Sequence, residues 1–172
     1  MDSAVTVAEV CAAFGCAHID ELDTLYLEYD QDLMRTQRWD YRNDALLTNR
    51  IRAKLEELDP HTVADEYDRW RVKEILWLWY HHAISCALWR YGDEGAARAY
   101  ATQALEYYQS DNPNKLTKLL YLLAHRREQE ARVYVATAID SEVEREAANH
   151  FLALYDAMAE QGYVTNMTKI LC

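Results

Sequence analysis

The stretch that constrains this chain most is residues 75–92, ILWLWYHHAISCALWRYG. It holds three of the five tryptophans, Trp77, Trp79 and Trp89, and no polar stripe runs along it. A helix that is apolar on every side is stable only when other elements surround it. The run is too short for a membrane span and carries His81 and His82, so it reads as the central helix of an all-α domain. Composition agrees. Four Gly and two Pro in 172 residues are too few for the turns of a sheet protein, and Ala, Leu, Glu and Arg are plentiful. A chain of this length buries about 70% of its unfolded surface, enough for a core without staples.

Charge is unevenly spread. Eight of the 29 acids and none of the 18 Lys and Arg residues lie in residues 1–34, and the net charge is −11. An acidic chain without a basic patch argues against nucleic-acid backbones and against anionic membranes. Solubility explains the acids, or they form a surface for a basic partner. On that second reading Asp23, Glu28, Asp30 and Asp32 are the steering residues. Cysteines stand at 11, 16, 86 and 172 with no CxxC pair. The N-terminus has no basic region followed by an apolar run. A cytoplasmic protein with free thiols is the expectation.

Periodicity and caps divide the chain into helices. Residues 4–14 form a short helix stopped by Gly15, and a second runs from a cap at Asp20 to about Arg38, with Leu22, Leu25, Tyr26, Tyr29, Leu33 and Met34 inward. A third, capped by Asn43 or Asp44, reaches Leu58 and is ended by Asp59-Pro60. Thr62 caps a fourth, unbroken to Gly92 and so about 45 Å long if continuous. Asp93 opens a fifth, and residues 110–114 (SDNPN) are a loop. Residues 115–139 are two helices or one bent one. Ser141 with Glu144 is a capping-box pattern that opens a last helix, stopped by Gly162. A short apolar tail closes the chain.

Candidate chemistry is sparse. His81 and His82 are adjacent and point about 100° apart, so one metal cannot take both easily. No Glu-x-x-His pair occurs, and no metal site is expected. Ser85 follows His82 by three residues, without a sign of an orienting acid or an oxyanion hole. Cys11 and Cys16, five apart, fall on different faces if both are helical. Cys86 reads as a small buried hydrophobe. The four glycines are isolated, so no phosphate loop exists. The 13 tyrosines, among them Tyr26, Tyr29 and Tyr107-Tyr108, are core residues or half-wet interface residues.

Shifting the chain by 34 residues aligns Leu88 with Leu122, Glu94 with Glu128, Ala97 with Ala131, Tyr100 with Tyr134 and Ala104 with Ala138. The paired alanines are seven apart on one helix face, where small residues let two helices approach. On these residues the chain resembles the tetratricopeptide-repeat family, whose unit is a helical hairpin of that length. Residues 78–111 resemble one unit, with Ile84, Ala87 and Leu88 on its first helix, Ser85 at the small position and Gly92-Asp93 at the turn. Residues 112–145 are a weaker copy, with Leu119 at the small position and Arg126 in place of the turn glycine. The resemblance covers none of the first 60 residues.

The resemblance implies antiparallel hairpins stacked as a short α-solenoid over residues 61–172, with residues 1–60 as an acidic helical extension packed on it. It further implies a groove along the first helices that binds a partner helix or peptide. Mapped onto this chain, the groove residues are Trp79, His82, Cys86, Trp89, Arg90, Leu116, Leu120 and Leu123. An apolar groove of that kind is normally covered, by the N-terminal helices, by a partner or by a second copy of the chain. The expectation is a non-catalytic interaction module, an adaptor or regulator without a cofactor, whose partner is another protein or a peptide with a basic region. The alternatives are a small acidic inhibitor that mimics nucleic acid, and a helical-bundle enzyme with a histidine site.

Overall fold

The computed structural model describes residues 5–58, 62–108 and 115–161, with side chains described through Glu106 and Ala157 in the last two segments. The break at Pro60, the loop at 110–114, the stop at Gly162, the closing tail, Cys172 and the Tyr107-Tyr108 side chains lie outside those residues. Among the described residues all regular structure is helical: α1 (Val7–Ala13), α2 (Ile19–Arg35), α3 (Leu47–Leu55), α4 (Glu66–Ser85), a π-helical turn (Cys86–Arg90) that continues α4, α5 (Glu94–Tyr108), α6 (Lys115–Ala124), α7 (Glu128–Ala138) and α8 (Glu142–Gln161). The chain divides into two compact units, residues 1–79 and 80–172, and α4 contributes to each. The division falls inside α4 rather than near residue 60, because Val72, Ile75, Leu76 and Trp79 of α4 are core residues of the first unit.

Helix ends follow the backbone's need to satisfy its terminal groups. Thr6 Oγ1 accepts from Glu9 N–H at 3.1 Å at the start of α1. α2 starts at Ile19, one residue before the expected cap, and the Glu21 carboxylate reaches back to Ala17 N–H at 3.0 Å. α4 starts four residues after Thr62, because Asp65 is the cap; its Oδ1 accepts from Asp68 N–H at 2.9 Å. Asp93 Oδ1 likewise accepts from Ala96 N–H at 3.1 Å. Three helices end in the same six-residue closure, with the N–H of Cys16, Arg38 and Arg127 bonded to the carbonyls of Cys11, Leu33 and Leu122 at 2.8–2.9 Å. The residue before each closing N–H is left-handed: Gly15 at φ +74, Gln37 at φ +59 and Arg126 at φ +57. Gln37 therefore stops α2 at Arg35, three residues short of the expected end, and Arg126 makes α6 and α7 two helices.

In the first unit α1 packs on α2 and α3, and α2 on α3. Its core holds Leu22, Tyr26, Trp39, Ile51, Leu55, Ile75 and Trp79, all at most 1% exposed. The turn before α3 is tied by Asn49, whose Nδ2 donates to the carbonyls of Asp40 and Asn43 at 2.8 Å. That tie delays α3 to Leu47.

In the second unit α5 packs on the π-helical turn and on α6, α6 packs on α7 and α8, and α8 packs on α7 and on the π-helical turn. α5 and α7 both begin 34 residues apart, at Glu94 and Glu128. Ala97 and Ala131, paired by the repeat, are both fully buried. The paired turn residues Gly92 (φ +61) and Arg126 (φ +57) share the left-handed conformation. Arg126 thus takes up the geometry of the glycine it replaces.

Candidate functional site

The eight groove residues are placed mostly inside. In the first unit Trp79 is 1% exposed: its Nε1–H donates to Asn49 Oδ1 at 2.8 Å, Trp39 lies 5.8 Å away between ring centroids, and the Arg52 guanidinium sits 4.1 Å from the ring centroid. In the second unit Cys86, Trp89, Leu120 and Leu123 are at most 1% exposed. Trp89 is covered by α8, whose Phe151 stacks on it at 5.9 Å with the rings 3° from parallel. His82, Arg90 and Leu116 are half-buried. Five of the eight residues therefore present no surface in this arrangement; residues 39–52 cover one end of the list and α8 covers Trp89.

The acidic steering set is also dispersed. Asp30 is 3% exposed and accepts from Trp39 Nε1–H at 2.9 Å, so it anchors a core tryptophan. Asp32 pairs with Arg35 and Arg38, and Asp23 with Arg71. Glu28 alone of the four is exposed.

His81 is 5% exposed, with Nε2 2.9 Å from Thr117 Oγ1. Burial, helped by the neighbouring His82, lowers its pKa to about 3, so the ring is neutral at ordinary pH. No group of three or more His, Cys, Asp and Glu residues that could hold a metal occurs among the described residues. No helix among them is long and apolar enough to cross a membrane. Cys11 and Cys16, expected on separate faces, are brought together by the turn at Gly15, and burial raises both thiol pKa values. Thiolates are disfavoured there.

The exposed feature lies on the first turns of α4. Trp70 is 50% and Tyr67 45% exposed, with ring centroids 5.9 Å apart. The Arg71 guanidinium sits 4.6 Å from the Trp70 centroid and 5.4 Å from that of Tyr67. It is held there by Tyr67 Oη, which accepts from Nε at 3.0 Å, and by Asp20 and Asp23 at 3.2 and 3.3 Å. The Tyr67 hydroxyl donates to Asp20. Beside this face, α1 and the starts of α2 and α4 enclose a cavity of 310 Å³ with an apolar floor (Val7, Ala8, Ile19) and Asp20, Tyr67 and Asp68 on its walls. Two more cavities adjoin it. One of 460 Å³, between the end of α1 and α2, shares Asp20 and adds Glu21 and Glu28; one of 410 Å³ shares Val7, Ala8 and Asp68 and adds Asp65. Together they form a trough whose lining includes five carboxylates and no Lys or Arg. Burial first, then the charges of Asp65 and Asp20, raise the pKa of Asp68. Burial likewise raises Asp23 and Glu74.

Sequence reasoning saw Tyr67, Trp70, Arg71 and Glu74 only as the amphipathic half of a long helix. The available signal was two aromatics three apart, followed by Arg, on the side of α4 opposite Val72, Ile75 and Leu76. Comparison of the chain with protein families, with curated proteins and with solved structures finds no match in any of the three.

Proposed function

We propose that this chain is a non-catalytic protein-interaction module, an adaptor or regulator that takes a peptide or helix of another protein. The observation that carries the reading is the exposed Tyr67–Trp70–Arg71 face. Trp, Tyr and Arg are the residues that dominate binding energy at interfaces, and a half-exposed Trp stacked with Tyr and Arg is rare on a surface without a use. The docking surface moves with it, from the covered groove of the second unit to the first turns of α4. The repeated hairpins of residues 80–138, with matched helix starts and matched left-handed turns, support the tetratricopeptide-like reading of the second unit. The return of α8 onto the π-helical turn departs from an open array and closes the groove at Trp89.

The alternatives have less support. A nucleic-acid mimic needs rows of unpaired carboxylates, and Asp23, Asp30 and Asp32 are paired or buried. A histidine-site enzyme needs a reachable ring, and His81 is enclosed. The test is affinity capture from an extract of the source organism with the wild-type chain and Trp70→Ala, after circular dichroism establishes that both fold alike. A protein retained by the wild type and lost from Trp70→Ala is expected. Identical captures from both would remove the α4 face as the docking surface.

A further inference from the structure

The aromatic face and the trough beside it have a definite electrostatic sign. Asp20 and Asp23 already share Arg71, and Arg69 is turned to the Val63 carbonyl at 3.3 Å. Past those pairings the walls still offer Glu21, Glu28, Asp65 and Asp68. Close carboxylates in half-buried positions repel one another, and a cation entering between them removes that repulsion. The floor is apolar, which suits the methylene stem of a long cationic side chain while its head meets the carboxylates. Trp70 and Tyr67 present ring area at the edge, where an ammonium or guanidinium gains a further attraction.

We propose that the trough formed by α1, the start of α2 and the start of α4 is a docking site for a Lys- or Arg-containing peptide segment of a partner, seated against Tyr67 and Trp70. The inference rests on the reading of the chain as an interaction module and adds the partner's chemistry. The choice of a peptide over a small polycation follows from the form of the site. Three cavities in a row share walls at Asp20 and at Asp68, so an occupant must carry apolar groups between its charges to fill them. The choice of a basic segment over an acidic one follows from the wall charges. A second copy of this chain is a poor occupant, since residues 1–34 bring no Lys or Arg.

The experiment uses the full chain and a fluorescein-labelled peptide of alternating Lys and Ala, read by anisotropy at physiological salt. Same-length Glu/Ala and Ser/Ala peptides and free spermine are the comparators. Saturable binding of one Lys/Ala peptide per chain is expected, with no binding of the Glu/Ala and Ser/Ala peptides and weaker binding of spermine. Trp70→Ala and, separately, Glu28→Gln with Asp68→Asn should each weaken it about tenfold, the loss of one well-placed contact. Glu106→Gln with Glu146→Gln removes the same charge on the second unit and should change it by less than about twofold. Equal losses in the two charge pairs would mean that the peptide only senses net charge, and the inference would fall. Spermine binding as tightly as the peptide, or no saturable binding at all, would overturn it too. If Trp70→Ala loses its captured protein while no basic peptide binds, the interaction reading survives and the basic partner does not.

Discussion

The two units bury tryptophan by different means. In the first, both core indoles donate to named acceptors: Trp39 to the Asp30 carboxylate at 2.9 Å and Trp79 to the Asn49 amide at 2.8 Å. Asn49 then ties the turn before α3, so one short polar network fixes two rings and a loop. In the second unit Trp89 is equally buried, but its contact is a stack on Phe151, and its N–H has no hydrogen-bond partner among the described residues. Buried polar groups that are satisfied specify one arrangement, while stacking tolerates exchange of one ring for another. The first unit is pinned by directional bonds and the second is held by shape.

Replacement of each ring by phenylalanine breaks or sharpens that contrast. Trp79→Phe removes the donor, leaves Asn49 Oδ1 without it and opens space under Arg52. A loss of about 3 kcal/mol is expected. Trp89→Phe keeps an aromatic stack on Phe151 and removes an N–H that was buried without return, so its cost should stay near 1–1.5 kcal/mol. Urea unfolding of the full chain followed by circular dichroism reads both. If Trp89→Phe costs as much as Trp79→Phe, directional bonding does not distinguish the two units.

The same contrast explains what could be read ahead of the structure. The all-α class followed from the scarcity of Gly and Pro and from residues 75–92. The helix starts at Glu94 and Glu142 followed from Asp93 and Ser141. Shape-held features are written in side-chain size, so the 34-residue pairing of Ala97 with Ala131 was visible. Directional features were not, because nothing local marks Asn49 as the residue that ties residues 40 and 43, or Asp30 as a core acceptor rather than a surface acid. Gln37 and Arg126 hid two helix ends, since neither residue type signals a left-handed turn. The groove residues were correctly assigned as apolar, but apolar positions alone do not say which element covers them. Trp70 was obscured for the opposite reason: an exposed aromatic on an amphipathic helix looks, in sequence, like one more core residue.

Acid should act on the two units in opposite directions. His81 is neutral in the fold with a pKa of about 3, against 6.5 in the unfolded chain. Between those values the folded state binds fewer protons than the unfolded one. The His81 contribution is therefore complete above about pH 6.5 and declines as pH falls toward 3, by at most ~1.4 kcal/mol per unit. At pH 5 that is about 2 kcal/mol. The carboxylates of the first unit that burial raises, Asp23 and Glu74, have the reverse sign, gaining as pH falls toward their folded values. His81→Gln, which can keep a hydrogen bond to Thr117, should lose less stability than the wild type between pH 7 and 5. Parallel pH profiles for the two proteins would show that His81 is not enclosed as described.

The smallest effect tests the equivalence of the two turns in the second unit. Gly92 and Arg126 occupy matched repeat positions at φ +61 and +57. A side chain in this region costs about 1 kcal/mol, which glycine avoids. Gly92→Ala should therefore destabilise by about 1 kcal/mol. Arg126 already bears that cost, offset in part by its ion pair with Glu94, the first residue of α5. That pair is half-exposed, worth about 0–1 kcal/mol. Arg126→Gly should then leave stability within about 0.5 kcal/mol of the wild type, relief of the backbone balancing loss of the pair. Arg126→Ala keeps the strain and loses the pair, and should fall below both. Thermal unfolding of the three variants in parallel gives the order. A harmless Gly92→Ala, or an Arg126→Gly as damaging as Arg126→Ala, would mean that the two hairpins do not turn alike, and the repeat would be confined to the paired alanines.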